Sequence, residues 1–407
     1  MTLIIHKYYK FLKKKKISKN AIKVLIRLKK TGYQSYLVGG SVRDLILGKL
    51  PKDFDIATNA TPEQLKKIFK NCRIIGRRFR IAHIMFKSEF IEVSTFRKNH
   101  NKKSTNKKNK KIKKTINGML LNDNIFGNIE DDYKRRDITI NALYYDINTS
   151  IIRDYVGGLE DLKKKKIRLI GDPETRYRED PIRILRVIRF AVKLKMKISK
   201  KTEEPITRLA ILLKNIPSSR LFYEISKLIQ TGEGYKIYKK FKKYKLFNSV
   251  FFFPNIKIDL KTKKLIKEIS IKAIKLIDDK VKKQKQENDE TDFLFSSILW
   301  YFLVNTKKKI QKENKTEEKE SFLNAIEQIF KNIIPYFKIP KQILSNCKEI
   351  WKLQWFLENN FKKSKIIKKI TKKQKFQKSY NLLKIRSEIE NNIQLYKIEK
   401  IWKKHNK

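Results

Sequence analysis

Two carboxylates separated by one residue, Asp53-Phe54-Asp55, follow a Gly39-Gly40-Ser41-Val42-Arg43-Asp44 run by about a dozen residues. On a strand, side chains at i and i+2 share one face, roughly 7 Å apart by strand rise. Two such oxygen ligands can hold a pair of divalent cations, which sit about 3.5–4 Å apart in two-metal sites. One ion would activate an attacking hydroxyl, and the other would neutralise a triphosphate and steady departing pyrophosphate. Two Mg²⁺ ions are expected, with Mn²⁺ as the alternative. Adjacent glycines let backbone N–H groups approach a phosphate closely. Ser41 adds a hydroxyl, and Arg43 can grip a phosphate bidentately. Taken one at a time, an ordinary Gly-Gly turn and a solvent-facing acidic turn remain open readings.

Three further sites extend the pattern. Glu92 sits in Phe90-Ile91-Glu92-Val93-Ser94-Thr95-Phe96, where Ile91, Val93 and Thr95 share one face and Glu92 the other. A carboxylate inside a strand costs desolvation unless paired or metal-bound, so it is a metal ligand or half of an ion pair. In Arg135-Arg136-Asp137, arginines can face phosphates while the carboxylate meets ribose or metal; a surface charge cluster is the other reading. In Asp180-Pro181-Ile182-Arg183-Ile184-Leu185-Arg186, Asp180 is placed to cap a helix with Pro181 at its first position. Arg183 then lies one turn along the same face, with Arg186 beyond it. A paired acceptor and donor set can read a nucleobase edge, or form a plain i,i+3 ion pair.

These residues need elements to position them. Helical spacing of Ala21, Val24, Leu25 and Leu28 precedes a stop at Gly32. Tyr36-Leu37-Val38 reads as a strand running into Gly39-Gly40, and residues 41–47 as the helix that follows. Residues 54–57 read as a second strand. Thr61-Pro62-Glu63-Gln64 is a helix start with a capping box. Residues 81–86 and 90–96 read as a hairpin pair, 98–114 as a polar Lys/Asn-rich loop, and 138–147 and 151–155 as further strands. From Glu179 the pattern is helical nearly to the end. All twelve glycines lie at or before Gly234, so an α/β first half gives way to a helical second half. No fixed-period repeat is present.

The chain has 407 residues, 40% of them hydrophobic, enough for two or more domains with packed cores. Its 99 Lys and Arg against 41 Asp and Glu give a net charge of +58. That excess points to a polyanion, nucleic acid first, although the joint abundance of Lys, Ile and Asn also fits an AT-rich coding bias. Cys72 and Cys347 make no disulfide framework, and four scattered His give no metal spacing. No signal peptide or membrane span is read from the sequence, and residues 293–304 read as a buried helix. A cytoplasmic protein without stable membrane insertion is expected.

The set, in this order, resembles the class II nucleotidyltransferase superfamily of tRNA CCA-adding enzymes and bacterial poly(A) polymerases. The resemblance runs from about Tyr36 to Gly234. It implies catalytic and metal roles for Asp53 and Asp55, a metal role for Glu92, and a catalytic role for Asp137. It implies nucleotide binding by Gly39, Gly40, Ser41, Arg43, Arg136, Asp180, Arg183 and Arg186. The segments Ile74-Ile75-Gly76-Arg77-Arg78-Phe79-Arg80-Ile81-Ala82-His83, Gly118-Met119-Leu120-Leu121, Asp123-Asn124-Ile125-Phe126-Gly127 and Gly171-Asp172-Pro173-Glu174-Thr175-Arg176-Tyr177 look like the poly(A) polymerase group. The implied activity is template-independent addition of AMP from ATP to RNA 3′ ends, linked to RNA processing and decay. A tRNA CCA-adding activity is the alternative, and a catalytically dead RNA-binding module a third.

The implied fold is α+β: a nucleotidyltransferase head with a mixed β-sheet and flanking helices, followed by an all-α neck, body and tail. Its expected bounds are a basic extension over 1–19, the catalytic head over 20–170, the neck with its nucleobase-reading element over 171–235, and an RNA-binding helical body and tail over 236–407. Residues 362–378, with Lys-Lys pairs among Ile and Phe, read either as an RNA-binding element or as a solvated amphipathic helix. Protein partners are not read from the sequence.

Overall fold

Alternating apolar residues build a sheet around which the first unit is organised. The computed structural model describes residues 4–6, 16–76, 80–98, 125–250, 259–284, 289–315, 317–334, 339–361 and 364–405. Two compact units, Met1–Leu212 and Leu213–Lys407, make up the chain. The boundary falls inside the stretch expected as a neck.

The first unit runs β1 (Ile4–His6), α1 (Lys19–Lys30), β2 (Ser35–Val38), α2 (Gly40–Ile46), β3 (Asp55–Thr58), α3 (Pro62–Ile68), β4 (Cys72–Ile75), β5 (Ile81–Met85) and β6 (Phe90–Thr95). It continues with α4 (Ile129–Arg135), β7 (Leu143–Asp146), β8 (Ile151–Asp154), α5 (Gly158–Lys163), β9 (Lys166–Ile167), α6 (Pro173–Glu179), α7 (Ile182–Lys193), β10 (Lys197–Ile198), α8 (Lys200–Glu203) and α9 (Ile206–Leu209). The sheet order is β1-β8-β7-β2-β3-β6-β5-β4. It is mixed: β3 and β6 pair in parallel, and its other described pairings are antiparallel. The parallel pair needs a crossover, which α3 and the β4–β5 hairpin supply.

Local chemistry sets several boundaries. Ala21, Val24, Leu25 and Leu28 are the buried stripe of α1. Thr61 and Gln64 exchange side-chain hydrogen bonds as a capping box at the start of α3. In β6, Ile91, Val93 and Thr95 are buried, Phe90 is exposed, and Glu92 and Ser94 lie between. The second strand begins at Asp55, one residue later than its spacing predicts.

The strand expected over 138–147 starts late: residues Thr139–Asn141 form a 3₁₀ turn and β7 begins at Leu143. Tertiary contacts override the strand pattern. Thr139 Oγ1 donates to Asp161 Oδ2 at 2.6 Å, and the Thr139 N–H to the Arg168 carbonyl. A Cβ on Gly158 would meet the Thr139 oxygen at 2.4 Å, so α5 packs there backbone to backbone.

The second unit is helical among its described residues: α10 (Ser218–Ile229), α11 (Gly234–Lys243), α12 (Phe247–Val250), α13 (Leu260–Gln284), α14 (Thr291–Asn314), α15 (Glu318–Ile333), α16 (Lys341–Asn359), α17 (Ser364–Thr371), α18 (Phe376–Ile389) and α19 (Ile393–Lys403). A 3₁₀ segment, Ala210–Asn215, spans the boundary between the units. Phe293, Phe295, Leu299 and Leu303 are buried in α14, as their run of apolar neighbours predicts. Trp402 packs with Ile367, Ile370 and Phe376. Lys375 and Lys378 ion-pair with the buried Asp292. The 362–378 stretch thus takes part in the core of this unit, with 362 and 363 outside the described residues. Both cysteines are buried and unbridged. Among the described residues no helix is long and apolar enough to cross a membrane.

Candidate active site

At the end of β2 the chain turns through Gly39, whose φ of +76° lies in the region that favours glycine. Val38 is in register with Asp55 across the antiparallel β2–β3 pair. A Cβ built on Gly39 would lie 3.5 Å from Asp55 Oδ2. The glycine turn and the acidic pair are therefore one local structure. Asp53 is exposed, Phe54 buried and Asp55 intermediate, the alternation that turns both carboxylates away from the core.

On the other side of β3, the parallel pairing sets Asp55 in register with Glu92 of β6. His83 of β5 is the antiparallel partner of Glu92, with Nε2 3.8 Å from Oε2. Its ring stacks on Phe90 at 4.4 Å. Burial pushes the His83 pKa below its ordinary value, which favours the neutral imidazole beside Glu92.

Three carboxylates on neighbouring positions give the all-oxygen donor chemistry that Mg²⁺ prefers. Among the described residues no three His, Cys, Asp or Glu side chains converge on one ion.

The basic part of the site is built from α4. Asp132 is fully buried, and its two oxygens divide the work. Oδ1 accepts from Arg135 Nε at 3.0 Å. Oδ2 accepts from Arg136 Nη2 at 2.9 Å and from the Tyr144 hydroxyl at 2.7 Å. Burial alone would raise the Asp132 pKa, but Arg136 and Arg135 hold it well below the carboxylate range. Asp137 follows the helix: Oδ1 accepts its neighbour Ile138's N–H, and Oδ2 lies 2.7 Å from Arg186 Nη2. Burial raises its pKa, and Arg186, Arg183 and Arg189 bring the net value down. Asp137 and Arg186, distant in sequence, thus meet directly.

The expected nucleobase reader lies between α6 and α7. The cap differs from the expectation. Asp180 closes α6 with extended backbone, Pro181 is the N-cap of α7, and no side-chain capping bond forms at Pro181. The Arg183 backbone N–H donates to the Asp180 carbonyl at 3.1 Å, while its guanidinium turns to other partners. Its Nη1 donates to the Arg176 carbonyl at 2.7 Å and to Glu179 Oε2 at 3.3 Å. Glu179 Oε2 also accepts from Arg176 Nη1 at 2.6 Å. Arg176 Nη2 donates to the carbonyls of Arg135 and Arg136. Burial, with Arg183 nearby, brings the Arg176 pKa down to about 10. The α6–α7 junction is thereby tied to the backbone that carries Asp137.

Two side chains of the glycine loop are placed otherwise than expected. Arg43 is only 3% exposed. Its Nη1 donates to Asn141 Oδ1 at 2.7 Å, its Nε to Asp44, and its guanidinium lies over the Phe190 ring. It clamps α2 to its surroundings and is not poised as a phosphate grip. The Ser41 hydroxyl donates to the Val38 carbonyl at 2.9 Å, closing the turn. Residues 77–79, 99–124 and 362–363, which include parts of the expected subfamily segments, lie outside the described residues.

The sequence matches the family profile described as "Poly A polymerase head domain" over residues 35–168. Residues 195–260 match "Probable RNA and SrmB- binding site of polymerase A", and 314–407 match "Polymerase A arginine-rich C-terminus". Poly(A) polymerase I of Salmonella typhimurium is 45% identical over 391 residues, which is 96% of this chain and 82% of that protein. The chain belongs to the poly(A) polymerase family. By contrast, the CCA-adding enzyme of Bacillus pumilus is 35% identical over 211 residues, 52% of this chain and 50% of that one. The crystal structure of the Bacillus stearothermophilus CCA-adding enzyme in complex with CTP superposes with a TM-score of 0.61 at 22% identity, over 94% of this chain and 80% of that one. It shows a shared fold.

In this poly(A) polymerase the residues that sequence reasoning did not single out are the supports: Asp132, Asn141, Tyr144 and Glu179, with Arg176 noted only within a longer segment. Asp132 was within reach, since it lies three and four positions before Arg135 and Arg136 on a helix, where side chains meet. Asn141 and Tyr144 gave no such local signal, because their partners come from other elements.

Proposed function

We propose that this poly(A) polymerase extends RNA 3′ ends with AMP from ATP, releasing pyrophosphate, at the site formed by the Gly39 turn, β3, β6 and the α6–α7 junction. The observation that carries the reading is that Asp55 is in register with Glu92 on one side and with Val38 on the other, with the Gly39 turn beside its carboxylate. This supports a site where bare backbone would meet a phosphate beside carboxylates that would hold a cation.

In the proposed reaction the RNA 3′-hydroxyl oxygen attacks the α-phosphorus of ATP in line. The bond from the α-phosphorus to the bridging oxygen of pyrophosphate breaks, and the hydroxyl proton is released. Asp53 and Asp55, with Glu92 alongside, would hold Mg²⁺, which supplies charge neutralisation and makes the hydroxyl easier to deprotonate. The Gly39-Gly40 turn admits the triphosphate to backbone N–H groups, with Ser41 and Arg43 fixing its shape. Arg136, held by Asp132, faces phosphate oxygens. Asp137 sets Arg186, and Asp180 with Arg183 reads adenine. Positioning and charge carry the rate, and no covalent enzyme intermediate is needed. The head, neck, body and tail bounds expected from the sequence remain part of this proposal, with RNA held along the basic helical second unit through its phosphates.

A primer-extension assay tests it. A generic single-stranded RNA and a tRNA lacking its 3′ end are each given ATP, CTP or both, with Mg²⁺. Long ladders from ATP on generic RNA are expected. Three-nucleotide addition that is confined to the tRNA and needs CTP would replace the reading with CCA addition.

A further inference from the structure

One basic aromatic face in the second unit has no part in the chemistry above. Tyr235, near the start of α11, stacks on Tyr238, with ring centroids 6.3 Å apart and planes within 7°. Lys239 Nζ lies 4.9 Å from the Tyr235 ring centroid, and Lys275 Nζ of α13 lies 4.7 Å from it. Both rings are half-buried and both lysines are exposed. Neighbouring lysines have carboxylate partners: Lys236 pairs with Glu233 and Lys272 with Glu388. Among the described residues Lys239 and Lys275 have none; their contacts are to the ring.

The arrangement is held in place from beneath. The Asp278 carboxylate accepts the Gly234 N–H at 2.6 Å and the Tyr235 N–H at 2.9 Å, fastening α11 to α13. A Cβ on Gly234 would meet Ile274 Cγ2 at 2.9 Å, so the two helices touch there without a side chain between them. Lys275 lies one turn before Asp278 on α13, which brings it to the same side as Tyr235. Tyr238 leans on Phe247 at 4.9 Å.

We infer that Tyr235 and Tyr238, flanked by Lys239 and Lys275, form a stacking platform for unpaired bases of the RNA strand. Flat aromatic faces interleaved with cations are the chemistry of single-stranded nucleic-acid binding. A cation over an exposed ring is a weaker contact than a base stacked on it. An incoming base therefore displaces an ammonium group from the Tyr235 face, and the lysine turns to the adjacent phosphate. A duplex keeps its bases inside and cannot use the rings. The choice of RNA as ligand rests on the polyadenylation reading.

The test is fluorescence anisotropy on the full chain with a short labelled oligo(A) and with an abasic ribose-phosphate strand of equal length. Tyr235→Leu should weaken oligo(A) binding by about five- to a hundredfold and leave the abasic strand unaffected. Tyr235→Phe, which keeps the ring, should bind as the unmodified chain does. Lys239→Gln combined with Lys275→Gln should make the slope of log affinity against log salt shallower by about 1.4. Unchanged oligo(A) affinity in Tyr235→Leu would overturn the platform and leave the face to packing or to a protein partner. So would an equal loss on both strands. Primer extension by the unmodified chain separates the two readings. Normal oligo(A) binding without ATP-dependent ladders sinks the polyadenylation reading alone. Ladders together with a silent Tyr235→Leu sink the platform alone.

Discussion

The Asp55 carboxylate lies against the bare α-carbon of Gly39, where an added methyl group would sit 3.5 Å from Oδ2. The contact is an ordinary van der Waals distance, so space alone does not demand glycine. The backbone does, with φ at +76°. Gly39→Ala should therefore destabilise the head by about 1–3 kcal/mol through backbone strain and lower incorporation further by shifting the turn against Asp55. Denaturant melts and single-turnover incorporation, measured together, check this. Equal activity per folded molecule would show that the turn does not set the site.

Asp53→Ala and Asp55→Ala should each reduce AMP incorporation by about a hundredfold or more while RNA affinity stays near normal. Chelating divalent cations should stop incorporation and leave the melting temperature unchanged, as expected of ions that enter with the nucleotide. A fall in melting temperature on chelation would point to a structural ion instead.

Asp132→Ala should cost about 3–5 kcal/mol, since it takes the buried acceptor from Arg136, Arg135 and Tyr144. Asp132→Asn keeps the shape and should cost less while still slackening Arg136. A higher KM for ATP in Asp132→Asn, measured on folded protein, is the expected signature.

Acid should act on the same network. The folded pKa of Asp132 lies below its unfolded value, as do those of Asp137 and Asp146. For a depressed carboxylate the stabilisation is complete above the unfolded pKa of about 4 and is lost as pH falls through the folded value. Melting temperature should thus drop as pH falls below about 5. Asp132→Asn should melt progressively closer to the unmodified chain along that descent. A constant gap across the pH series would remove Asp132 from the acid response.

Asp180→Ala should blur nucleotide choice, reducing the preference for ATP in kcat/KM by about tenfold. The Arg183 guanidinium is held by Glu179 and the Arg176 carbonyl, and its N–H by the Asp180 backbone carbonyl, which the substitution keeps, so the variant should leave α7 in place and stability little changed. Competition between ATP and the other ribonucleotides reads the effect directly.

Much of the site was legible because its residues are spaced by local rules. Glu92 opposite a buried Ile91-Val93-Thr95 face and the Thr61–Gln64 box follow from strand and helix periods, whereas Asp53 lies before β3, which begins only at Asp55, so the two carboxylates do not share a strand. The family resemblance then supplied roles that spacing could not. What stayed hidden depends on tertiary partners. Arg43 reads as a phosphate ligand until Asn141 and Phe190 close around it. The strand pattern over 138–147 yields to a turn because Asp161 and Gly158 claim Thr139. Arg183 lies one turn from Asp180 on a helix diagram, yet Glu179, held by Arg176, takes its guanidinium.

The parallel pairing of β3 with β6 gives the sheet a form of self-inspection. A one-residue slip of β6 would carry Glu92 into the core and turn Ile91, Val93 and Thr95 to the other face. The penalty for that error falls on folding, long before any substrate arrives. A one-residue slip that sets Asp55 and Glu92 out of step is therefore penalised as misfolding. The burial of Ile91, Val93 and Thr95 thus guards the rung that Asp55 and Glu92 share against a slip of one residue.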